Sequence, residues 1–253
     1  MFRRELNIIG SAFLYFSRLP MPFKVEYKKE NQAFILTWFP LVGIVVGAIG
    51  GLAYFAFSFF LPHLPSIILA LGAMILATGA FHEDGWADVC DAFGGGYSTE
   101  QKLTIMKDSR VGAYAAIGIF FLLALKISLL YSIKAVEIPL VLIVAHALSR
   151  FPLLLLSKFW HNARSENSKS KDSSAPLSWG RISLAFMLAI LPLLFFEPIV
   201  FAVIPLVIIS SLLAGRYFNK HLGGYTGDCL GMAQQVNELL IFAFFCAMDY
   251  NIA

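Results

Sequence analysis

The chain has 253 residues, 58% of them hydrophobic and only 14% charged, and its mean hydropathy is +0.75. Soluble domains carry about 25% charged residues, so this composition excludes an ordinary soluble enzyme and predicts an integral membrane protein with the lipid bilayer as a partner. The net charge of +3 is too small to indicate binding to nucleic acid.

The first third of the chain combines a surface segment with one long apolar span. Residues 6–19 are too short and too polar to cross a bilayer, so we expect them to lie at its surface. Residues 34–60 carry no charge and are long enough for one span. Gly43, Gly47 and Gly51 recur there every four residues, which predicts a smooth face for close helix packing.

Further apolar segments alternate with polar loops along the rest of the chain. They are residues 66–81, 111–132, 138–157, 182–196, 198–215 and 239–248. The last one spans the membrane only if its helix begins near Leu230 and packs Gln234, Gln235 and Glu238 against protein. Lys126 lies near the far end of its segment, where its side chain is expected to snorkel to the interface.

These segments predict an all-α fold, a polytopic membrane helix bundle of about seven transmembrane helices that forms a single domain over residues 1–253. If the N-terminus is cytoplasmic, the cytoplasmic loops hold 16 of the 19 Lys and Arg residues. This distribution favours that orientation, because cytoplasmic loops of membrane proteins are enriched in basic residues. The polar motifs then lie on cytoplasmic loops.

The densest group of charges in the chain is acidic: Glu83, Asp84, Asp88 and Asp91 lie within nine positions. Asp84, Asp88 and Asp91 follow i, i+4, i+7 spacing and share one face of a helix, which we expect to continue the preceding span out of the bilayer. Like charges this close need a cation or protons to neutralise them. Oxygen ligands suit Mg²⁺, or Mn²⁺, rather than Zn²⁺, so the sequence predicts that all four carboxylates bind metal.

Simpler roles for these residues stay open. The three aspartates could solvate a helix end, and Glu83 points about 100° away from Asp84 on an ideal helix. His82 is better explained as a hydrogen-bonded structural residue than as a ligand. Gly85 is expected to leave room for a ligand to approach the backbone.

Two later motifs add cations and a glycine-rich turn. Lys102, Lys107 and Arg110 follow the acidic segment, and Asp228 lies in a glycine-rich turn near the start of the last span. A metal on carboxylates, cationic side chains and glycine-rich backbone are the parts that phosphoryl transfer requires. Lys107 and Arg110 could instead pair locally with Asp108, and Asp228 could cap a helix.

Three motifs together resemble a known family. They are Glu83-Asp-Gly-Trp-Ala-Asp-Val-Cys-Asp91, Lys107-Asp-Ser-Arg-Val-Gly112 and Gly224-Tyr-Thr-Gly-Asp-Cys-Leu-Gly231. In this order they resemble cobalamin synthase, the adenosylcobinamide-GDP ribazoletransferase family, over nearly the whole chain. The resemblance implies a bacterial inner-membrane enzyme with its active site facing the cytoplasm.

The resemblance also implies a reaction and a set of functional residues. The family joins adenosylcobinamide-GDP to α-ribazole or its 5′-phosphate with Mg²⁺, releasing GMP and forming adenosylcobalamin or its phosphate. Asp108 falls on the basic motif of the family, Thr226 and Asp228 fall on its glycine-rich motif, and Glu238 matches a later carboxylate.

Our hypothesis assigns a role to each motif. Asp84, Asp88 and Asp91 hold one or two Mg²⁺ on the diphosphate, and Asp228 or Asp91 orients or deprotonates the ribazole 5′-hydroxyl. The remaining catalytic candidates, Lys107 and Arg110, bind the GMP leaving group. The predicted substrate-binding residues are Lys107, Asp108, Arg110, Arg150 and Thr226. Arg150 lies one turn from His146 near the cytoplasmic end of a span, so snorkelling is an equal alternative for it.

Two other functions compete with this interpretation. The acidic motif loosely resembles that of CDP-alcohol phosphotransferases acting on lipids, although the downstream Gly-x-x-x-Asp-x-x-x-Asp pattern is absent. An ion-coupled transporter could use the acidic group as a cation site, but transporter sites lie near the bilayer midplane. The sequence leaves a homo-oligomeric state open.

Overall fold

A computed structural model describes residues 2–26, 28–164 and 177–252. This part of the chain is helical, and its β-structure is limited to one bridge between Asn162 and Tyr225. The α-helices are α1 (Phe2–Phe16), α2 (Phe39–Ser58), α3 (His63–Thr78), α4 (Phe81–Gly95), α5 (Thr99–Ile105), α6 (Ala113–Tyr131), α7 (Ile138–Leu148), α8 (Pro152–Phe159), α9 (Trp179–Ile190), α10 (Val203–Leu222) and α11 (Gly227–Ile252). The predicted all-α fold is confirmed.

Five helical segments are long and apolar enough to cross a membrane. They are Phe34–Ser58, Ala113–Tyr131, Ile138–Phe159, Pro198–Leu222 and Gly227–Asp249. The bent pair α3–α4 brings the number to six when it is counted as one span, and Trp179–Phe195 is a shorter apolar helix. The described helices therefore agree with a polytopic bundle of about seven apolar helices.

The C-terminal helix meets the condition under which the sequence predicts that the last apolar segment spans the membrane. α11 is continuous over 26 residues, so it begins before Leu230 and is long enough for a span. Gln234, Gln235 and Glu238 are buried against protein. Packing of these polar side chains inside the bundle avoids their exposure to lipid.

The acidic helix does not extend the preceding span, so that expectation is wrong. α3 ends at Thr78, and α4 leaves it at an angle of 89°. Gly79 and Ala80 both have positive φ values, of 68° and 59°, and this left-handed turn ends α3. The carboxylates of α4 therefore lie along a helix that crosses the end of α3.

The glycines of α2 form the predicted close contact, and their partner is α7. A Cβ atom on Gly43 would lie 2.1 Å from the carbonyl oxygen of His146, and one on Gly47 would lie 2.6 Å from Cα of Ile143. The two backbones therefore touch along this face. This contact fixes α7, which carries His146, inside the bundle.

We expect Gly47→Leu to destabilise the bundle, because the new side chain would collide with backbone atoms of α7. Overpacking a tight interior costs about 1–3 kcal/mol, and a backbone contact leaves little room for relief. Gly72→Ala is the matched control, since no atom lies within 4 Å of a Cβ at that position. Thermal unfolding in detergent measures both variants. Equal melting temperatures for the two would contradict the packing assignment.

Candidate active site

The site is built where α4 crosses the start of α11. A Cβ on Gly85 would lie 2.9 Å from the carbonyl oxygen of Asp228, and one on Gly231 would lie 3.2 Å from Cα of Gly85. Helix α11 therefore occupies the space beside Gly85, and the expected access of a ligand to that backbone is wrong. The crossing instead brings the acidic motif next to the glycine-rich motif.

Carboxylates of the acidic motif and of the glycine-rich motif lie close enough for their charges to interact. Asp84 is exposed and Asp88 is half-buried. The charges of Asp84, Asp91 and Asp228 all act on the carboxylate of Asp88, as does the opposing charge of Arg164. We call Asp84, Asp88 and Asp91 the acidic face of α4. The predicted proximity of this face to Asp228 is present in the structure.

Arg164, which lies outside the three sequence motifs, binds the glycine-rich motif through Asp228. Its Nη2 lies 2.7 Å from Oδ2 of Asp228 and donates a longer bond of 3.4 Å to the carbonyl oxygen of Met106. The Thr226 hydroxyl donates to the same Asp228 oxygen at 3.3 Å and accepts from the backbone N–H of Cys229. Thr226 thus caps the first turn of α11 and orients Asp228.

Asp91 accepts hydrogen bonds from the backbone at the start of α6. Its Oδ2 accepts from the N–H of Gly112 at 2.7 Å, and its Oδ1 accepts from the N–H of Ala115 at 2.9 Å. A carboxylate at this position satisfies two helix N–H groups that have no partner within the helix, and it interacts favourably with the helix dipole. Asp91 therefore fixes the start of α6 and the end of the basic loop.

The basic motif forms an exposed loop between α5 and α6. Lys107 is exposed, and Arg110 donates from Nε to Oδ1 of Asp108 at 3.0 Å. The hydrogen bonds from Arg110 lower the pKa of Asp108 to about 2. The local pairing left open by the sequence is thus present. Lys102, in contrast, is buried with its Nζ 5.6 Å from the ring centre of Phe93.

This loop is held beside the site at both of its ends. Met106 lies before it, with its sulfur 3.7 Å from the Thr226 hydroxyl. Gly112 lies after it, bonded to Asp91. The three sequence motifs are therefore connected through Thr226, Met106, Gly112 and Asp91, as their predicted shared function requires.

A buried ionic cluster lies on a different face of α4 from the acidic face, and it contradicts the expectation that Lys126 snorkels. Lys126 is only 2% exposed, and its Nζ lies 2.9 Å from Oε1 of Glu238 and 3.8 Å from Oε1 of Glu83. A lysine inside the bundle needs such partners, because the apolar interior cannot solvate its charge. Glu83 thus faces Lys126, whereas Asp84 is exposed.

Arg150 belongs to the same cluster and does not snorkel. It is fully buried, and its Nη1 donates to the carbonyl oxygen of His146 at 2.6 Å. Its guanidinium lies 5.3 Å from the ring centre of Phe39. The Nε2 of His146 is 3.5 Å from Glu238. The buried ionic cluster consists of Glu83, Lys126, His146, Arg150 and Glu238.

Neutral polar side chains extend this cluster through the bundle. The amide of Gln234 donates to Glu238 at 2.8 Å, and the amide of Gln235 donates to Glu83 at 3.3 Å. Asn237 donates to Ser211 at 2.8 Å, which ties α11 to α10. The cluster therefore joins four helices, α4, α6, α7 and α11, around two carboxylates.

The sequence contained a signal for this cluster that our interpretation did not use. A charged residue within an apolar span is costly unless it meets an opposite charge. Lys126, Arg150 and Glu238 are three such residues in three different spans. Their pairing could have been anticipated from charge balance alone, but which carboxylate meets which cation depends on helix rotation.

The donors present suit a magnesium ion that shares its ligands with a substrate. Among the described residues, no three His, Cys, Asp or Glu side chains form a group ready to hold a metal. Mg²⁺ is commonly bound through one or two carboxylates plus substrate phosphate oxygens. Asp84 and Asp88 are the acidic-face residues with no backbone amide partner among the described residues, so the donor set fits that arrangement.

The fold and this site define a class: an integral membrane protein with a polar site, rich in carboxylates, at one end of a helix bundle. A family model described as cobalamin-5-phosphate synthase matches residues 9–246. The chain therefore belongs to the cobalamin-5-phosphate synthase family. The resemblance inferred from the three motifs is confirmed.

Curated relatives carry one activity name, adenosylcobinamide-GDP ribazoletransferase. A relative from Ralstonia nicotianae is 41% identical over 245 residues, and one from Ralstonia pickettii is 38% identical over the same length, with 94% of each chain covered in both cases. A Vibrio parahaemolyticus relative is 35% identical over 255 residues, covering 99% of this chain and 96% of its own. No solved structure matches the chain significantly.

We expect Lys126→Met to destabilise the protein strongly, because Glu238 and Glu83 would lose their shared cation inside the bundle. Breaking a buried ion pair by removing one partner costs about 3–5 kcal/mol. Adding Glu238→Gln should restore part of that loss. Thermal unfolding in detergent measures the single and double variants.

Lys134→Met is the matched control for this experiment. Lys134 forms a similar ion pair with Asp249, at 2.8 Å, but its side chain is half-exposed. Exposed pairs contribute about 0–1 kcal/mol, so this variant should remain close to the wild type. If Lys126→Met is equally harmless, the buried ionic cluster does not stabilise the bundle.

We expect Asp91→Ala to lower stability by about 1–2 kcal/mol, because two N–H groups at the start of α6 lose their acceptor. Asp84→Ala serves as the control, since the exposed Asp84 lies on the same helix without capping another one. Circular dichroism during heating compares the two variants. If Asp84→Ala lowered the melting temperature more than Asp91→Ala, capping of α6 by Asp91 would not be the main contribution of the acidic face to stability.

Proposed function

We propose that this protein catalyses the transfer of the cobinamide-phosphate group of adenosylcobinamide-GDP to the 5′-hydroxyl of α-ribazole or its 5′-phosphate, with release of GMP. The family match over residues 9–246 is the observation that carries this function. The site supports it, because carboxylates from the acidic and glycine-rich motifs meet the cation Arg164 at the crossing of α4 and α11, with the basic loop held beside them. Phosphoryl transfer from a diphosphate requires carboxylates that bind a metal ion and cations that neutralise the phosphate charge.

Mg²⁺ is the metal we assign to the acidic face, with Mn²⁺ as a substitute. When bound, it would neutralise charge on the diphosphate and polarise the phosphorus–oxygen bonds. Asp84 and Asp88 are the residues proposed to hold it. The sequence predicts Glu83 and Asp91 as further metal ligands. In the structure Glu83 pairs with Lys126, and Asp91 accepts from the N–H groups of α6. We therefore assign both residues to positioning the helices around the site.

The remaining roles follow from accessibility and contacts. Asp228 is the proposed base, because both oxygens of Asp91 already accept backbone N–H bonds, and Arg164 with Thr226 holds Asp228 in place. It would take the proton of the 5′-hydroxyl as that oxygen bonds to phosphorus. The exposed loop supplies Lys107 and Arg110 for the departing GMP, with Asp108 orienting Arg110.

Arg150 and Thr226 take supporting roles in this proposal. The guanidinium of Arg150 is fully buried in the turn that follows α7 and contacts His146. We therefore assign it to the buried ionic cluster rather than to direct contact with substrate. Thr226 is also fully buried, and it orients Asp228 from below the site.

The proposed location is the inner membrane of a bacterium, with the site facing the cytoplasm. The basic residues of the loops around α1, α5 and α9 support this orientation through the positive-inside rule. Both substrates would then reach the acidic face from the cytoplasm. The family match favours this function over the CDP-alcohol phosphotransferase and transporter alternatives.

We expect Asp84→Asn to reduce the formation of corrinoid product at least about a hundredfold while the protein stays folded, since one metal-binding carboxylate loses its charge. Glu100→Gln, an exposed carboxylate on α5, is the control and should retain full activity. The assay combines purified protein, adenosylcobinamide-GDP, α-ribazole and Mg²⁺, with GMP release as a second readout. Full activity of Asp84→Asn would remove the proposed metal role.

A further inference from the structure

A cavity of about 190 Å³ opens directly beside the crossing of α4 and α11. We call it the aromatic pocket. Its lining comes from α1, α2, α4, α8, α11 and the segments that precede α2 and α11. Gly227 and Gly231 form part of its wall, so it adjoins Asp228. The pocket therefore lies next to the site proposed for phosphoryl transfer, on another face of the first turns of α11.

Six of the thirteen residues that line this pocket carry aromatic rings. The rings of Phe16 and Phe39 are stacked with centres 4.0 Å apart, and His82 stacks on Phe39 at 5.7 Å. Tyr15 and Phe81 lie at the open side, with their ring centres 5.9 Å apart. A surface made of several rings favours a flat, apolar guest that can stack or contact ring edges.

One polar atom in this wall has no partner. His82 is 2% exposed, yet its Nε2 forms no hydrogen bond with the described residues. A buried polar atom normally has a partner, and leaving one unpaired costs free energy. His82 also lines a second, smaller cavity beside the buried ionic cluster, and its Nε2 has almost no accessible surface, so the ring of His82 rather than this nitrogen forms the wall of the aromatic pocket.

We propose that the aromatic pocket binds the dimethylbenzimidazole base of α-ribazole, with the stacked rings of Phe16, Phe39 and His82 forming the wall against which that base lies. This inference rests on the proposed function, which supplies α-ribazole as the acceptor substrate. Its ribose would extend toward Asp228, since Gly227, the residue before Asp228, lines the pocket. The base would be held by apolar contact and the hydroxyl by the acidic site.

Size and polarity favour this base over the other ring systems of the reaction. Pockets for drug-sized ligands measure about 300–1,000 Å³, so a cavity of about 190 Å³ matches a two-ring base better than a corrin ring. Guanine carries several polar edge groups, and each needs a partner when buried. Asn162 and Tyr225, two other polar residues of the lining, already interact within the protein.

The test measures steady-state kinetics of the full-length protein in detergent with Tyr15→Ala and Phe81→Ala combined. Both side chains are partly exposed, so their removal leaves the core intact. We expect the KM for α-ribazole to rise about tenfold, because aromatic contacts are lost. The KM for adenosylcobinamide-GDP and kcat should stay within about twofold of the wild type.

The matched control replaces another exposed aromatic pair, Phe120 and Phe121 of α6, with alanine. Their ring centres are 5.6 Å apart, similar to the pocket pair. This control should leave both KM values unchanged. Free 5,6-dimethylbenzimidazole should compete with α-ribazole in the wild type and more weakly in the pocket variant.

Other results would overturn the inference. A rise in the KM for adenosylcobinamide-GDP instead would assign the pocket to that substrate. Equal changes in both variants, or changes that vanish in phosphatidylethanolamine–phosphatidylglycerol vesicles, would assign the effect to lipid contact. If the wild type forms no corrinoid product, the proposed function fails, and fluorescence titration of the wild type and the pocket variant with α-ribazole decides the pocket separately.

Discussion

The pairing of buried charges inside an apolar bundle is the constraint on which this structure depends. Lys126 and Glu238 meet at 2.9 Å, and Glu83 and His146 complete their surroundings. Since lipid and apolar side chains cannot solvate an isolated charge, each of these residues fixes the rotation of its helix. The relative placement of α4, α6, α7 and α11 follows from that requirement.

This placement has a consequence for the site. When Glu83 turns inward to Lys126, the residues on the other side of α4 turn toward the start of α11. Asp88 then shares its surroundings with Asp228, while Asp91 caps α6. One face of α4 thus serves the stability of the bundle, and the other presents carboxylates for the proposed reaction with a diphosphate.

Close helix contacts and the sharp bend after α3 complete the arrangement. Gly85 and Gly231 let α4 and α11 touch, since a Cβ on Gly85 would lie 2.9 Å from the carbonyl oxygen of Asp228 and one on Gly231 would lie 3.2 Å from Cα of Gly85. The left-handed turn at Gly79 and Ala80 sends α4 across the end of α3. A straight continuation of α3, as the sequence suggested, would have carried the acidic face away from the glycine-rich motif. The aromatic pocket lies beside the same crossing, lined by Phe81 and His82 directly before the acidic motif and by residues of the glycine-rich motif.

The sequence by itself determined the membrane class, the positions of most apolar helices and the three motifs that define the family. These properties are local, because hydropathy, motif spacing and residue identity depend only on short segments of the sequence. Tertiary structure alone decided that Lys126 and Arg150 are buried, that Arg164 pairs with Asp228, and which aromatic rings form a pocket. Such contacts depend on helix rotation and on crossings between distant segments, which periodicity in one segment cannot specify.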